Sequence, residues 1–164
     1  MNALLAPEPV LRAMGTHDLD AVSAIEASAY SFPWSRGNFI DSLAAGYRAQ
    51  VLVDAGAGIV GYYVAMAGVE EMHLLNITVA PPWQRRGLAC VMLDALEADC
   101  RAQRLAMLWL EVRVSNERAR KLYARRGFAE VGLRRGYYPA ALSKREDAVV
   151  MSRRLLAEDS GALD

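Results

Sequence analysis

Cysteine is scarce in this 164-residue chain, and Cys90 and Cys100 are its whole supply. If both lie on one helix, their spacing is a rise of about 15 Å, which no disulfide bridges. Two reduced thiols fit a cytoplasmic protein. Histidine is equally rare, and His17 and His73 form no ligand spacing with the cysteines, so no metal site is expected. No apolar run reaches the roughly 18 residues of a membrane span. The first residues carry Glu8 and lack the basic, apolar and small-residue succession of a secretory signal. Net charge is absent as well, with 19 basic against 19 acidic groups, which argues against nucleic acid as a direct partner. Internal repeats, low-complexity tracts and linkers are missing too.

What is present suits one compact α/β domain. Hydrophobic residues make up 54% and charged residues 23% of the chain, enough to bury a core. The expected boundaries are residues 10–154 for the domain, 1–9 for an N-terminal extension and 155–164 for a loose tail. The zero net charge hides an asymmetry. Residues 1–80 hold three Arg against eight acids, whereas residues 84–136 hold eleven Arg and one Lys against six. Such a split suits an anionic ligand in the second half, and scattered solvated charge would explain it equally.

Local signals place the elements. Val10 to Ala13 reads as a strand. Thr16 or Asp18 caps a helix carrying Leu19, Val22, Ile25, Glu26 and Ala29, and Ser35 caps a second through Phe39, Ile40 and Leu43. Arg48 to Val53 and Gly58 to Ala67 read as strands joined by a turn at Asp54, and Glu71 to Val79 continues until Pro81-Pro82. From Gly87 a helix runs with Leu88, Val91, Met92, Ala95, Leu96 and Asp99 on one stripe. Met107 to Leu110 is a continuous apolar run, predicting a strand covered on both faces. Ser115 or Asn116 caps a further helix, which ends where Gly127 adopts the left-handed conformation and Phe128 folds back. Phe128 to Arg134 and Ala148 to Met151 complete the strands. A meander followed by strands alternating with helices predicts a mixed sheet.

The segment Gln84-Arg85-Arg86-Gly87-Leu88-Ala89 lies between a buried strand and an amphipathic helix. Gly87 and Ala89 clear space for a close approach, and the amides through Cys90 point outward at the positive end of the helix dipole. Arg85 and Arg86 add full charges. These are the parts of a pyrophosphate cradle, although an ordinary helix start with solvated arginines has the same composition. The glycine spacing matches neither the dinucleotide nor the nucleoside-triphosphate loop.

Gln84-x-x-Gly87-x-Ala89 resembles the acyl-CoA signature of the GCN5-related N-acetyltransferases. Further segments resemble the ribosomal-protein-alanine group within that superfamily. They are Phe32-Pro-Trp-Ser35, Leu75-Asn-Ile-Thr-Val79, Leu108-Trp-Leu-Glu-Val-Arg113, Ser115-Asn116, Leu122-Tyr123, Arg126-Gly-Phe128, Arg135-Gly-Tyr-Tyr-Pro139 and Glu146-Asp-Ala-Val-Val-Met151. Their order holds over residues 10–154. Thr78 departs from the small apolar residue usual at its place, and residues 1–9 have no counterpart. The resemblance implies the superfamily fold, a mixed central sheet with splayed middle strands flanked by helices. It also implies acetyl-CoA as co-substrate and an N-terminal segment of a small-subunit ribosomal protein as acceptor; a monomer or weak dimer without a metal and without direct nucleic-acid or membrane contact is expected.

Amine acylation needs a proton acceptor, a polarised thioester and a proton for the departing sulfur. Glu111 ends an apolar strand and is a candidate base; pairing with Arg113 or another surface base is the alternative. Tyr123 shares a helix face with positions 119, 122 and 126, and is a candidate acid or a packing residue. The resemblance places Glu111 at the base and Tyr123 at the acid position. It also implies that the backbone of Ile77, Thr78 and Val79 holds the pantetheine arm and that Asn116 contacts the cofactor. Trp34, Phe39, Tyr137 and Tyr138 are candidates for the acceptor slot or for plain aromatic packing. An α-amine with pKa about 8 is roughly 10% neutral at pH 7, whereas lysine lies about 3.4 units away, which favours an N-terminal acceptor. Lysine, polyamine or small-amine acceptors, and a non-catalytic acyl-CoA sensor, are the competing expectations.

Overall fold

The computed structural model describes residues 5–156. Its strands are β1 (Val10–Ala13), β2 (Arg48–Asp54), β3 (Gly58–Ala67), β4 (Glu71–Val79), β5 (Met107–Arg113), β6 (Ala129–Pro139) and β7 (Arg145–Arg154). Its helices are α1 (Leu19–Ala29), α2 (Arg36–Ala44), α3 (Leu88–Ala102) and α4 (Glu117–Arg125). One mixed sheet has the order β1-β2-β3-β4-β5-β7-β6. β1 and β2, β2 and β3, β5 and β7, and β6 and β7 pair antiparallel, while β4 and β5 run parallel. The parallel ladder starts at Glu71–Met107 and ends at Leu74–Leu110. The chain groups into two compact units. Among the described residues, the first unit holds 5–65 and Leu75–Asp94, and the second holds Met66–Leu74 and 95–156.

In the first unit, Met14, Leu19, Val22, Phe39, Val51, Tyr62 and Val64 form the apolar core. The inward face of α1 carries Leu19, Val22 and Glu26, all buried, so its apolar stripe ends on a carboxylate. α2 starts as its sequence predicts. Ser35 Oγ accepts from Asn38 N–H at 3.1 Å, and Asn38 Oδ1 accepts from Ser35 N–H at 2.9 Å. At α1 the expected cap is different. Asp18 closes a short 3-10 turn, where it accepts from the Gly15 amide, but its side chain makes no cap bond to α1. Its buried carboxylate instead takes the Arg12 guanidinium at 2.7 and 2.8 Å and Gly15 N–H at 2.8 Å. A desolvated charge seeks a full counter-charge before a helix amide. The hydrogen bond from Arg12, the largest cause, holds Asp18 down at about 2. The β2–β3 turn is an Asx turn in which Asp54 Oδ2 accepts from Gly56 and Ala57 N–H at 2.9 and 2.8 Å.

In the second unit, Asn116 Oδ1 caps α4 by accepting from Ala119 N–H at 3.1 Å. Gly127 ends it at φ +89°, and Phe128 N–H returns to Tyr123 O at 3.0 Å. The two rings lie 5.5 Å apart. β5 differs from expectation. Leu108, Leu110 and Val112 are buried, while Met107, Trp109 and Glu111 are half-buried, so one face is sealed and the other partly open. A run of apolar residues does not by itself report how much each face is covered. β6 and β7 are longer than their local pattern predicts, because a register shift between Arg134 and Tyr138 breaks the alternation within β6. Leu155 is tied down rather than loose: it is buried, and its N–H donates to Ala106 O at 2.7 Å. The remainder of the expected tail, residues 157–164, and residues 1–4 of the expected extension lie outside the described residues.

Candidate active site

The first unit supplies the turn before α3. Arg85 at φ +64° and Gly87 at φ +77° are both left-handed. A Cβ at Gly87 would meet nothing within 4 Å, so glycine is favoured there by backbone conformation and not by crowding. Val91 N–H donates to Gly87 O at 3.2 Å. The amides of Leu88, Ala89 and Cys90 come before it, at the helix end where no intrahelical carbonyl serves them. Left-handed residues leading into a 15-residue helix make a concave array of N–H groups suited to an anion. The two arginines differ. Both are exposed, but Arg86 lies over the Trp83 ring at 4.6 Å and donates to Pro82 O at 3.3 Å, while Arg85 is left-handed at φ +64°. Gln84 Nε2 donates to Val79 O at 3.1 Å, tying this turn to the end of β4.

That strand end sits on a polar chain, buried at Thr78, Glu26 and Tyr62 and exposed at Tyr30, which the local sequence pattern does not predict. Thr78 Oγ1 donates to Asn76 Oδ1 at 2.8 Å and lies 2.7 Å from the Tyr30 hydroxyl, which donates to Ile77 O at 3.1 Å. Asn76 Nδ2 donates to Glu26 Oε2 at 3.1 Å. Glu26 also accepts from the Tyr62 hydroxyl and from Trp34 N–H at 3.1 Å. Burial first, then the Glu26 charge, push the Tyr62 phenol well above its usual value and keep it a donor. Thr78 is accommodated because its hydroxyl is satisfied inside this chain. Glu26 on the apolar stripe of α1 was the available signal. The Trp34 ring rests on Phe39 at 5.2 Å. Phe39 itself has 0% exposure and packs edge-on against Tyr62, so it is core packing beneath Trp34 and not a slot wall.

The second unit holds the candidate base and acid. The Glu111 side chain is 7% exposed, with Oε2 hydrogen-bonded to His73 Nε2 and Oε1 3.1 Å from Arg134 Nε. Arg113, named above as its alternative partner, is engaged elsewhere. It pairs with Glu146 at 3.2 Å, donates to Pro139 O at 2.8 Å and lies over Tyr138 at 4.5 Å. Hydrogen bonds from Ser115, and then Arg113, hold the Glu146 carboxyl below its ordinary value. Tyr137 and Tyr138 form an edge-to-face pair 4.9 Å apart, and Arg134 lies over Tyr137 at 5.4 Å. Burial, then the neighbouring Tyr137 and Glu111, push the Tyr138 phenol up. Tyr137 is exposed and Tyr138 half-buried. Tyr123 is buried on α4. The structure thus gathers Glu111, Tyr137 and Tyr138 around Arg134 and Arg113, and sets Asn116 and Tyr123 on one helix. His73 and Arg134 were missed, since neither belongs to a local pattern. Among the described residues no cluster suited to a metal ion occurs, and no helix is long and apolar enough to cross a membrane.

A helix-start turn suited to an anion, a buried carboxylate and a buried phenol are the kinds of group that acyl transfer uses. The model of the Acetyltransferase (GNAT) family matches residues 19–128. The chain belongs to this family. It is 37% identical over 142 residues to the [Ribosomal protein bS18]-alanine N-acetyltransferase of Escherichia coli (strain K12), covering 87% of this chain and 95% of that one. The same-named protein of Haemophilus ducreyi is 34% identical over 82% of this chain and 92% of its own. The crystal structure of the ribosomal-protein-S18-alanine N-acetyltransferase from Escherichia coli superposes with TM-score 0.85 at 35% identity, covering 93% and 97% of the two chains. This GNAT protein is an N-acetyltransferase, and the acetyl donor of its family is acetyl-CoA.

Proposed function

We propose that this GNAT enzyme acetylates the α-amine of an N-terminal alanine of a small-subunit ribosomal protein, by direct transfer from acetyl-CoA within a ternary complex. The observation that carries this reading is the 37% identity over 95% of a relative with that named activity. Residues 10–154 act as the acetyltransferase domain. The turn at Gln84–Cys90 fits a diphosphate, since its left-handed residues and open Gly87 present amides and Arg85 without a side chain in the way. Bound acetyl-CoA supplies an activated acetyl thioester. The backbone of Ile77, Thr78 and Val79 binds the pantetheine arm by strand addition, Val79 N–H polarises the thioester carbonyl, and Asn116 contacts the cofactor. Glu111 accepts the proton of the attacking amine as the C–N bond forms. Tyr123 donates its hydroxyl proton to the sulfur as the C–S bond breaks. Trp34, Tyr137 and Tyr138 contact the acceptor peptide.

The test is CoA release from acetyl-CoA and an alanine-terminated peptide, beside the same peptide with a blocked N-terminus and an internal lysine. Turnover restricted to the free N-terminus supports the reading. Equal turnover of the blocked peptide assigns the enzyme to lysine or small-amine acceptors, and tight CoA binding without turnover makes it a sensor. Glu111→Gln and Tyr123→Phe are each expected to lower kcat by about 10²-fold or more while thermal unfolding stays near wild type.

A further inference from the structure

We propose that His73 is a positioning residue for Glu111, an inference that rests on the acetyl-transfer reading and adds a residue from outside the motifs that carry it. His73 lies opposite Trp109 in the parallel ladder of β4 and β5. Trp109 and Glu111 are two residues apart on β5, so their side chains leave the same face of the sheet. Glu111 is therefore a diagonal neighbour of His73, within reach of two long side chains. The imidazole Nε2 meets Glu111 Oε2, and the Arg134 guanidinium meets Oε1. An ionised carboxylate only accepts, so the facing ring nitrogen is the donor, Nε2–H. Two donors from two different strands fix both the plane and the aim of the carboxylate. Their grip is unequal, because the Arg134 side chain is 54% exposed and the His73 side chain 24%. Water competes for an exposed guanidinium and weakens its hold. The bond from the less exposed imidazole therefore keeps the carboxylate aimed, which matters when a proton must pass to it within a narrow range of distances.

A residue with this role changes the rate of transfer and not the binding of either substrate. Steady-state kinetics with acetyl-CoA and an alanine-terminated peptide should give His73→Ala a kcat about tenfold below wild type, with both KM values within about twofold. His73→Gln, whose amide still offers an N–H, should recover to within about threefold of wild type. In a Glu111→Gln background, adding His73→Ala should cost less than about twofold more, since the two residues act as one unit. A readout independent of activity is the imidazole tautomer from long-range ¹H–¹⁵N spectra. The proton is expected on Nε2 in wild type, with the Nε2 resonance moving in Glu111→Gln. Wild-type kcat in His73→Ala, a loss that adds fully to that of Glu111→Gln, no recovery in His73→Gln, or an Nε2 without a proton each overturns the proposal. If wild type transfers no acetyl group, the functional reading fails, and the tautomer still decides whether His73 donates to Glu111.

Discussion

Glu26 in the first unit and Glu97 in the second have relative exposures of 2% and 3%, yet they are held by different chemistry. Glu26 is surrounded by neutral donors: the Tyr62 hydroxyl, the Asn76 amide and the backbone N–H of Trp34. Glu97 is surrounded by guanidinium groups, with Arg153 at 2.7 Å, Arg126 at 3.2 Å and Arg101 at 4.0 Å. The contrast in part follows the charge asymmetry of the sequence: Arg101 and Arg126 are two of eleven arginines in residues 84–136, against three in residues 1–80, while Arg153 comes from β7. Where cations are scarce, a buried carboxylate is accommodated by dipoles. Where they are plentiful, it becomes the centre of an ion cluster. Neutral donors tolerate loss of the charge better, because nothing charged is left behind in low dielectric.

The largest effect that tests this contrast is expected from Glu97→Ala. It deprives Arg126 and Arg153 of their carboxylate in a half-buried setting, and should destabilise by about 3 kcal/mol, read by urea unfolding. Glu26→Gln keeps the shape and one acceptor oxygen, so about 1 to 2 kcal/mol is expected in the same measurement. An equal cost for the two variants would break the comparison. Gly87→Ala forces a side chain into the left-handed region and should cost about 1 kcal/mol, with a several-fold rise in KM for acetyl-CoA and little change in KM for the peptide. The smallest effect concerns Asp18, whose partner Arg12 is well exposed. Its folded value of about 2 lies below the unfolded value near 3.9, so its stabilisation is present at neutral pH and is lost as pH falls from about 4 through 2. Asp18→Asn should therefore be less stable by about 1 kcal/mol at pH 7 and approach wild type only below about pH 2, as shown by thermal unfolding from neutral pH down to about pH 1.

Much of the fold was legible because its signals are local. Ser35 with Asn38, Asp54 with Gly56, and Asn116 with Ala119 are bonds between residues two or three apart, and each marked its element correctly. Gly127 and Phe128 ended α4 for the same reason. Residue type and place suit Thr16 or Asp18 as the cap of α1, but Asp18 turns to Arg12, six residues back, because burial raises the value of a full charge. β6 was cut short in the reading because a bulge hides periodicity from any window that slides across it. Phe39 was assigned to a slot or to packing alike, and only its burial decided.

The sequence by itself determined the order of the helices and strands and most of their starts, the left-handed turns before α3 and after α4, and which family chemistry to expect. Those properties depend on periodicity, on hydrogen bonds within a few residues, and on backbone angles that few residue types adopt. Tertiary structure alone decided which groups flank Glu111. His73 stands 38 residues from it in the chain, and the two meet only because the register of β4 against β5 brings them to one face. Register is a collective property of two strands and the turns that feed them, so no residue near either partner announces it.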